Sequence, residues 1–148
     1  MDLRLEVVVV PVADVDRAEA FYTERLGFRL DADYPVDADY RVVQVTPPGS
    51  ECSIIFGTGV TSAAPGTLHG LHLIVSDIEK TVAELTARGV VVDGPFRDVT
   101  GVFHRAGAVG RVAGPHPDRA SYGSFAAFTD PDGNGWFLQE VTQRAPGR

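Results

Sequence analysis

The residues best suited to chemistry in this chain are crowded into one broken stretch, Thr100 to Ala120. Phe103, His104, Arg105, Arg111, His116 and Arg119 lie there against a single acid, Asp118. Gly101, Gly107, Gly110, Gly114, Pro115 and Pro117 interrupt it, so it is not one regular element. Loops this long in compact domains are usually functional or disordered. Imidazoles act as general acid or base near neutral pH, and guanidiniums grip anionic or carbonyl groups. Folded over a pocket, the loop supplies His104, His116 and Arg119 as candidate catalytic groups and Arg111 as a ligand contact. Left in solvent, it is only a mobile basic loop.

The elements that must position this loop occur twice. Val7 to Val12 reads as a buried strand. Asp14 stands at a helix N-cap, with Ala18, Phe21, Tyr22 and Leu26 on one apolar face and Gly27 placed to end the helix. Extended runs follow at Phe28–Tyr34, Tyr40–Thr46 and Cys52–Phe56. After a Gly-, Thr-, Ser- and Ala-rich linker the pattern restarts. Gly70 to Val75 is a strand, and Ser76-Asp77-Ile78-Glu79 has the form of a capping box. Ile78, Val82 and Leu85 share a helical face, and Gly89 stands where Gly27 stood. Val90–Val92 resumes an extended pattern, Ser121–Phe128 is a strand, Asp130 to Asn134 is a turn, and Trp136–Val141 closes the module. The expected fold is α+β, with two tandem βαβββ modules forming curved mixed sheets around a ligand trough. Module one covers about 3–57, the linker about 58–68 and module two about 69–143, within one domain over 1–148.

Composition bounds the partners. The chain has 148 residues, 44% of them hydrophobic, and a net charge of −7, so a real core is possible and polyanions are repelled. Nucleic acid and anionic membrane are therefore not expected partners. No run reaches the ~20 apolar residues of a membrane span, and Met1-Asp2-Leu3-Arg4 lacks a secretion signal. A cytoplasmic location is the expectation. Cys52 is alone and lies in an apolar run, which suits a small buried hydrophobe. Asp14, Asp77 and Asp130 are explained by capping and turn formation.

Two segments carry a family resemblance. Pro11-Val12-Ala13-Asp14 through Phe21-Tyr22 to Leu26-Gly27-Phe28, and Phe128-Thr129-Asp130-Pro131-Asp132-Gly133-Asn134, resemble the opening and closing motifs of the vicinal oxygen chelate superfamily. That superfamily includes glyoxalase I, bleomycin-resistance proteins and extradiol dioxygenases, so membership implies fold better than reaction. The resemblance implies a divalent metal held on inward strand positions, which here are Val7, Ser53, Gly70 and Phe137. None offers imidazole or carboxylate, whereas a catalytic ion needs about three protein donors. No metal and no other cofactor is expected. If Val7 and Gly70 face inward, strand phase adds Val9, Ile55, His72, Phe125 and Gln139, with Tyr122 a weaker candidate. Trp136 alternates away from Phe137 and is expected to pack under a helix.

The leading expectation is a glyoxalase/bleomycin-resistance-like protein that binds a small organic molecule, anionic or carbonyl-bearing, without the usual metal. One alternative is an enzyme, a metal-independent lyase or isomerase using loop His and Arg residues. Another is a glyoxalase- or dioxygenase-like metalloenzyme with ligands relocated among His69, His72, His104, His116 and Glu140. The resemblance also implies a homodimer.

Overall fold

A computed structural model describes residues 1–148. The chain is α+β, with two mixed sheets and few helices. It divides into two compact units. Unit one comprises Met1–His69 and Thr129–Asn134, and unit two comprises Gly70–Phe128 and Gly135–Arg148. No helix is long and apolar enough to cross a membrane.

Unit one holds a four-stranded sheet in the order β1 (Val7–Val9), β4 (Ser53–Thr58), β3 (Tyr40–Thr46), β2 (Arg29–Asp37). β1 runs parallel to β4, and the other pairs are antiparallel. The ladder stops at Val9, short of the Val12 expected from β-branching. Val10 still donates to Ile55, but Pro11 has no N–H and its carbonyl turns to Gly66 and Asn134. Strand alternation puts Val10, Val43, Val45, Ile54 and Phe56 on the helix-facing side, all buried. Val7, Val9, Gln44, Ser53 and Ile55 lie on the opposite side, paired as Val7–Ser53, Val9–Ile55 and Gln44–Ile55.

Helix α1 (Val15–Ala20) starts where Asp14 accepts the Arg17 amide at 3.0 Å, as its capping position requires. The next turn widens to a π-helical one, Phe21–Arg25, which the spacing did not foretell. Tyr22 sits in this turn, fully buried between Phe28 and Phe56 with ring centroids 5.6 Å away on each side. Its hydroxyl donates to Asp130 at 2.8 Å. Gly27 then closes the turn at φ +74°, a left-handed geometry that favours glycine. The turn Asp130–Asn134 is stapled into the same unit. Asp130 accepts the amides of Asp132 and Asn134, while Asn134 Nδ2 donates to both Asp130 and Pro11.

Unit two holds five strands in the order β5 (Leu71–Val75), β9 (Gly135–Glu140), β8 (Phe125–Thr129), β6 (Asp93–Asp98), β7 (Arg111–Ala113). Helix α2 (Ile78–Ala87) begins at Asp77, which accepts the Lys80 amide at 3.0 Å. The buried Glu140 carboxylate also takes the Ile78 amide, at 2.8 Å. Phe128 and Trp136 stack in parallel, buried with Ile78, Leu85 and Leu138; Trp136 is thus in the core, as its phase required.

Two elements here differ from the sequence reading. β6 lies past Val92, and its pairing with β8 is irregular between Asp93 and Phe96, where Gly94 and Pro95 sit. Proline hides such a strand from pattern reading. Gly94 is required there because a Cβ would lie 2.9 Å from that of Ala126. The stretch Thr100–Ala120 is also more ordered than a loop. Its middle is strand β7, which pairs with β6 and leaves two connections, 99–110 and 114–124.

Candidate functional site

Six rings of unit two, those of His72, Phe96, Phe103, His104, Phe125 and Phe137, gather on one face of its sheet. β5 and β9 run parallel with His72 opposite Phe137, and β6 and β8 place Phe96 opposite Phe125. Pleating sends these four side chains away from the Trp136–Leu138 core. The connection 99–110 lays Phe103 and His104 against them. The His104 ring stacks on Phe137 at 4.0 Å between centroids and meets Phe125 edge-on at 5.0 Å. Phe103 stacks on His104 at 4.7 Å and on His72 at 5.8 Å. Offset stacks and edge contacts at these separations are the attractive geometries of aromatic rings.

The two imidazoles touch. His72 Nε2 and His104 Nε2 are 2.8 Å apart, and His72 Nδ1 is 2.7 Å from the Gly70 carbonyl. A carbonyl only accepts, so the hydrogen of His72 belongs on Nδ1. Its bare Nε2 then accepts Nε2–H of the neutral His104, whose Nδ1, 3.4 Å from the Arg105 carbonyl, donates there only when that ring carries both protons. Burial pushes the His104 pKa down, and the nearby His72 and Arg111 act in the same direction. Opened chain therefore takes up a proton, below the ordinary histidine pKa of ~6.5, that the packed ring refuses. The stabilising contribution of the packed ring is complete above that pH and is lost as pH falls toward the lowered value. The His104 C2–H resonance is expected to titrate with a midpoint below ~6.5; a midpoint at or above it would contradict the packed geometry.

Beside this cluster Phe96, Asp98, His104, Arg105, Gly107 and Arg111, among others, border a cleft that is closed in this structure, with no room for a water molecule. The Arg111 guanidinium lies 3.7 Å over the Phe96 ring, bonded to Asp93 and to the Gly107 carbonyl. Arg97 is committed to the carbonyls of Ala113, Gly114 and Pro115.

The candidate residues fall in separate places. His72, His104, Arg111, Phe125 and Phe137 belong to the cluster and its cleft. Gly70 anchors His72 through its carbonyl. Gln139 is buried and donates to the carbonyl of Tyr122, which adopts φ +72° and receives the Ala145 amide on its hydroxyl. His116 uses Nδ1 to accept the amides of Asp118 and Ala120. Arg119 forks onto Glu140 and reaches Glu79. The three proposed catalytic side chains thus have different sets of partners, and only His104 is in the aromatic cluster. Val7, Val9, Ser53 and Ile55 lie in unit one, where Ser53 shares a 2.7 Å hydrogen bond with Thr46, whose hydroxyl donates to Asp31. Burial pushes the Cys52 thiol up, which disfavours a reactive thiolate.

Phe96 and Asp98 escaped sequence reading because β6 did. The available signal is that Phe96 and Asp98, two residues apart, share one face of a strand.

The family's metal positions do not suit a cation. Val7 faces Ser53, but Phe137 faces His72, and Gly70 donates to Gly135 instead. Counting from the turn glycines therefore selects unequal neighbours in the two modules. A valine, an engaged serine hydroxyl, a glycine and a phenylalanine form no donor set for a divalent ion. No group of three or more His, Cys, Asp or Glu side chains is arranged to hold a metal ion.

Comparison with known proteins agrees with this architecture. TnmS3, described as an antibiotic binding protein from Streptomyces sp. CB03234, shares 32% identity and a TM-score of 0.70, covering 95% of this chain and 97% of its own. A glyoxalase/bleomycin resistance protein from the same strain shares 33% identity and a TM-score of 0.67, covering 93% and 100%. The uncharacterized protein YetH of Bacillus subtilis (strain 168) is 25% identical over 138 residues, covering 93% of this chain and 98% of its own. Residues 4–138 match the family profile, and the chain belongs to the Glyoxalase/Bleomycin resistance protein/Dioxygenase superfamily.

Proposed function

We propose that this protein binds a planar aromatic compound, anionic or carbonyl-bearing, in the cleft of unit two, and does so without a divalent metal. The observation that carries this reading is the stack of Phe103 and His104 on Phe137 and His72. These loop rings cover apolar sheet surface in the manner of a flat ligand, and an incoming ring can take their place on Phe137 and Phe125. The guanidiniums of Arg105 and Arg111 border the same cleft and supply donors for a carbonyl or carboxylate. Antibiotic binding by a relative of similar fold supports a sequestering or carrier role.

A second reading rests on the 2.8 Å imidazole contact. Such a pair can pass a proton to and from a bound carbonyl compound, as a metal-independent lyase or isomerase requires.

Titration with 2-naphthoate in the presence of EDTA tests the binding reading. Saturable binding with the compound recovered unchanged is expected. Recovery of an altered compound would favour the second reading, and absence of binding would contradict both.

A further inference from the structure

We infer that the cleft of unit two contains a subsite for a hydroxyl group on the ligand's aromatic ring, built on the carboxylate of Asp98. This deepens the aromatic-ligand reading above and rests on it. The Asp98 side chain is only 2% exposed. Its Oδ2 is satisfied by the backbone amide of Thr100 at 2.9 Å and by the Thr100 hydroxyl. Its Oδ1 is buried without a hydrogen bond. Arg105 Nε stands 3.1 Å from that oxygen, within ion-pair distance, but no N–H is directed along the line.

A buried carboxylate oxygen without a donor is costly unless something supplies one. Here the surroundings select the donor. Asp98 borders the cleft beside His104, so a ligand ring that takes the place of His104 on Phe137 and Phe125 lies next to the carboxylate. The Arg105 side chain, 48% exposed, lays its guanidinium beside Oδ1 as a movable cover and is itself a donor. A phenolic hydroxyl satisfies both: its O–H donates to Asp98 Oδ1 and its oxygen accepts from Arg105. Only glycine fits beside Oδ1. Gly110 adopts φ +68°, and a Cβ on it would lie 2.7 Å from Oδ1 and 3.1 Å from the Arg105 guanidinium carbon. The Thr100 hydroxyl holds Asp98 below its usual pKa, so the carboxylate is anionic and accepts at neutral pH. A charged acceptor makes the stronger class of hydrogen bond.

The test compares 4-methylphenol, 4-methylanisole and toluene by titration followed in ¹H–¹⁵N NMR spectra of the intact protein. The anisole keeps the ring and the acceptor oxygen but lacks the donor. Wild-type protein is expected to bind the phenol about tenfold more tightly than the anisole. Asp98→Asn should reduce that preference to within about twofold, because Thr100 retains the amide oxygen and turns the NH2 toward the cleft. Gly110→Ala should do the same by filling the space, which keeps the test informative should Asp98→Asn fail to fold. Equal affinity of phenol and anisole for wild type, with toluene also binding, would overturn the subsite alone. Failure of all three to bind would overturn the subsite together with the aromatic-ligand reading.

Discussion

Asp130→Ala is expected to destabilise the protein by about 3–4 kcal/mol. The carboxylate is buried at 3% exposure and receives four donors: Tyr22 Oη–H, the amides of Asp132 and Asn134, and Asn134 Nδ2–H. Alanine removes the acceptor that these four donors share, among them the hydroxyl of the fully buried Tyr22. Tyr22→Phe removes only one donor and leaves the turn intact, so about 1 kcal/mol is expected. Urea denaturation followed by circular dichroism gives both values. For a chain of this size the alanine variant should melt about 8–15 °C lower. A loss below about 1 kcal/mol for Asp130→Ala would show that the turn is not the staple described. The motif that carries the family resemblance is thus a structural fastening, which accounts for its acids without a metal.

Phe137→Ala is expected to weaken binding of 2-naphthoate by about 10- to 100-fold while changing stability much less. Phe137 is only half-buried and lies outside the Trp136–Leu138 core. Its ring is the surface on which His104 stacks at 4.0 Å and His72 at 5.1 Å. Truncation removes the platform on which the proposed ligand would lie. It also leaves His104 without its closest stacking partner. Isothermal titration of the two proteins measures the ratio. An affinity within twofold of wild type would place the ligand elsewhere.

Much of the scaffold was legible in the sequence because its signals are local. Asp14 and Asp77 cap helices, Gly27 and Gly89 adopt positive φ, and the Asp130–Asn134 turn forms, each for reasons confined to a few neighbours. The strand phase that sets Trp136 in the core and Phe137 outside it is likewise local. What escaped depends on pairing. β6 is disguised by Gly94 and Pro95, and β7 is three residues long. Without them, Phe96 and Asp98 have no assigned face, and the connection 99–110 has no anchor. The offset that puts Phe137 opposite His72, where the count from turn glycines suggests Gly70, is a register between strands far apart in the chain. No period within either strand encodes it. The separation of His116 and Arg119 from His104 has the same origin. Those two side chains are consumed by contacts with Asp118, Ala120 and Glu140 that a list of basic residues does not reveal.

The lack of cation donors at Val7, Ser53, Gly70 and Phe137 and the aromatic cluster of unit two support the proposed metal-free binding of a flat organic compound. The most direct test is titration of 2-naphthoate into the protein with excess EDTA and again with added Zn²⁺, Mn²⁺ or Fe²⁺. Saturable binding is expected, with a Kd the same within about twofold in every case, since no interaction with the ion contributes to it. Binding that appears only with a stoichiometric divalent ion would contradict it.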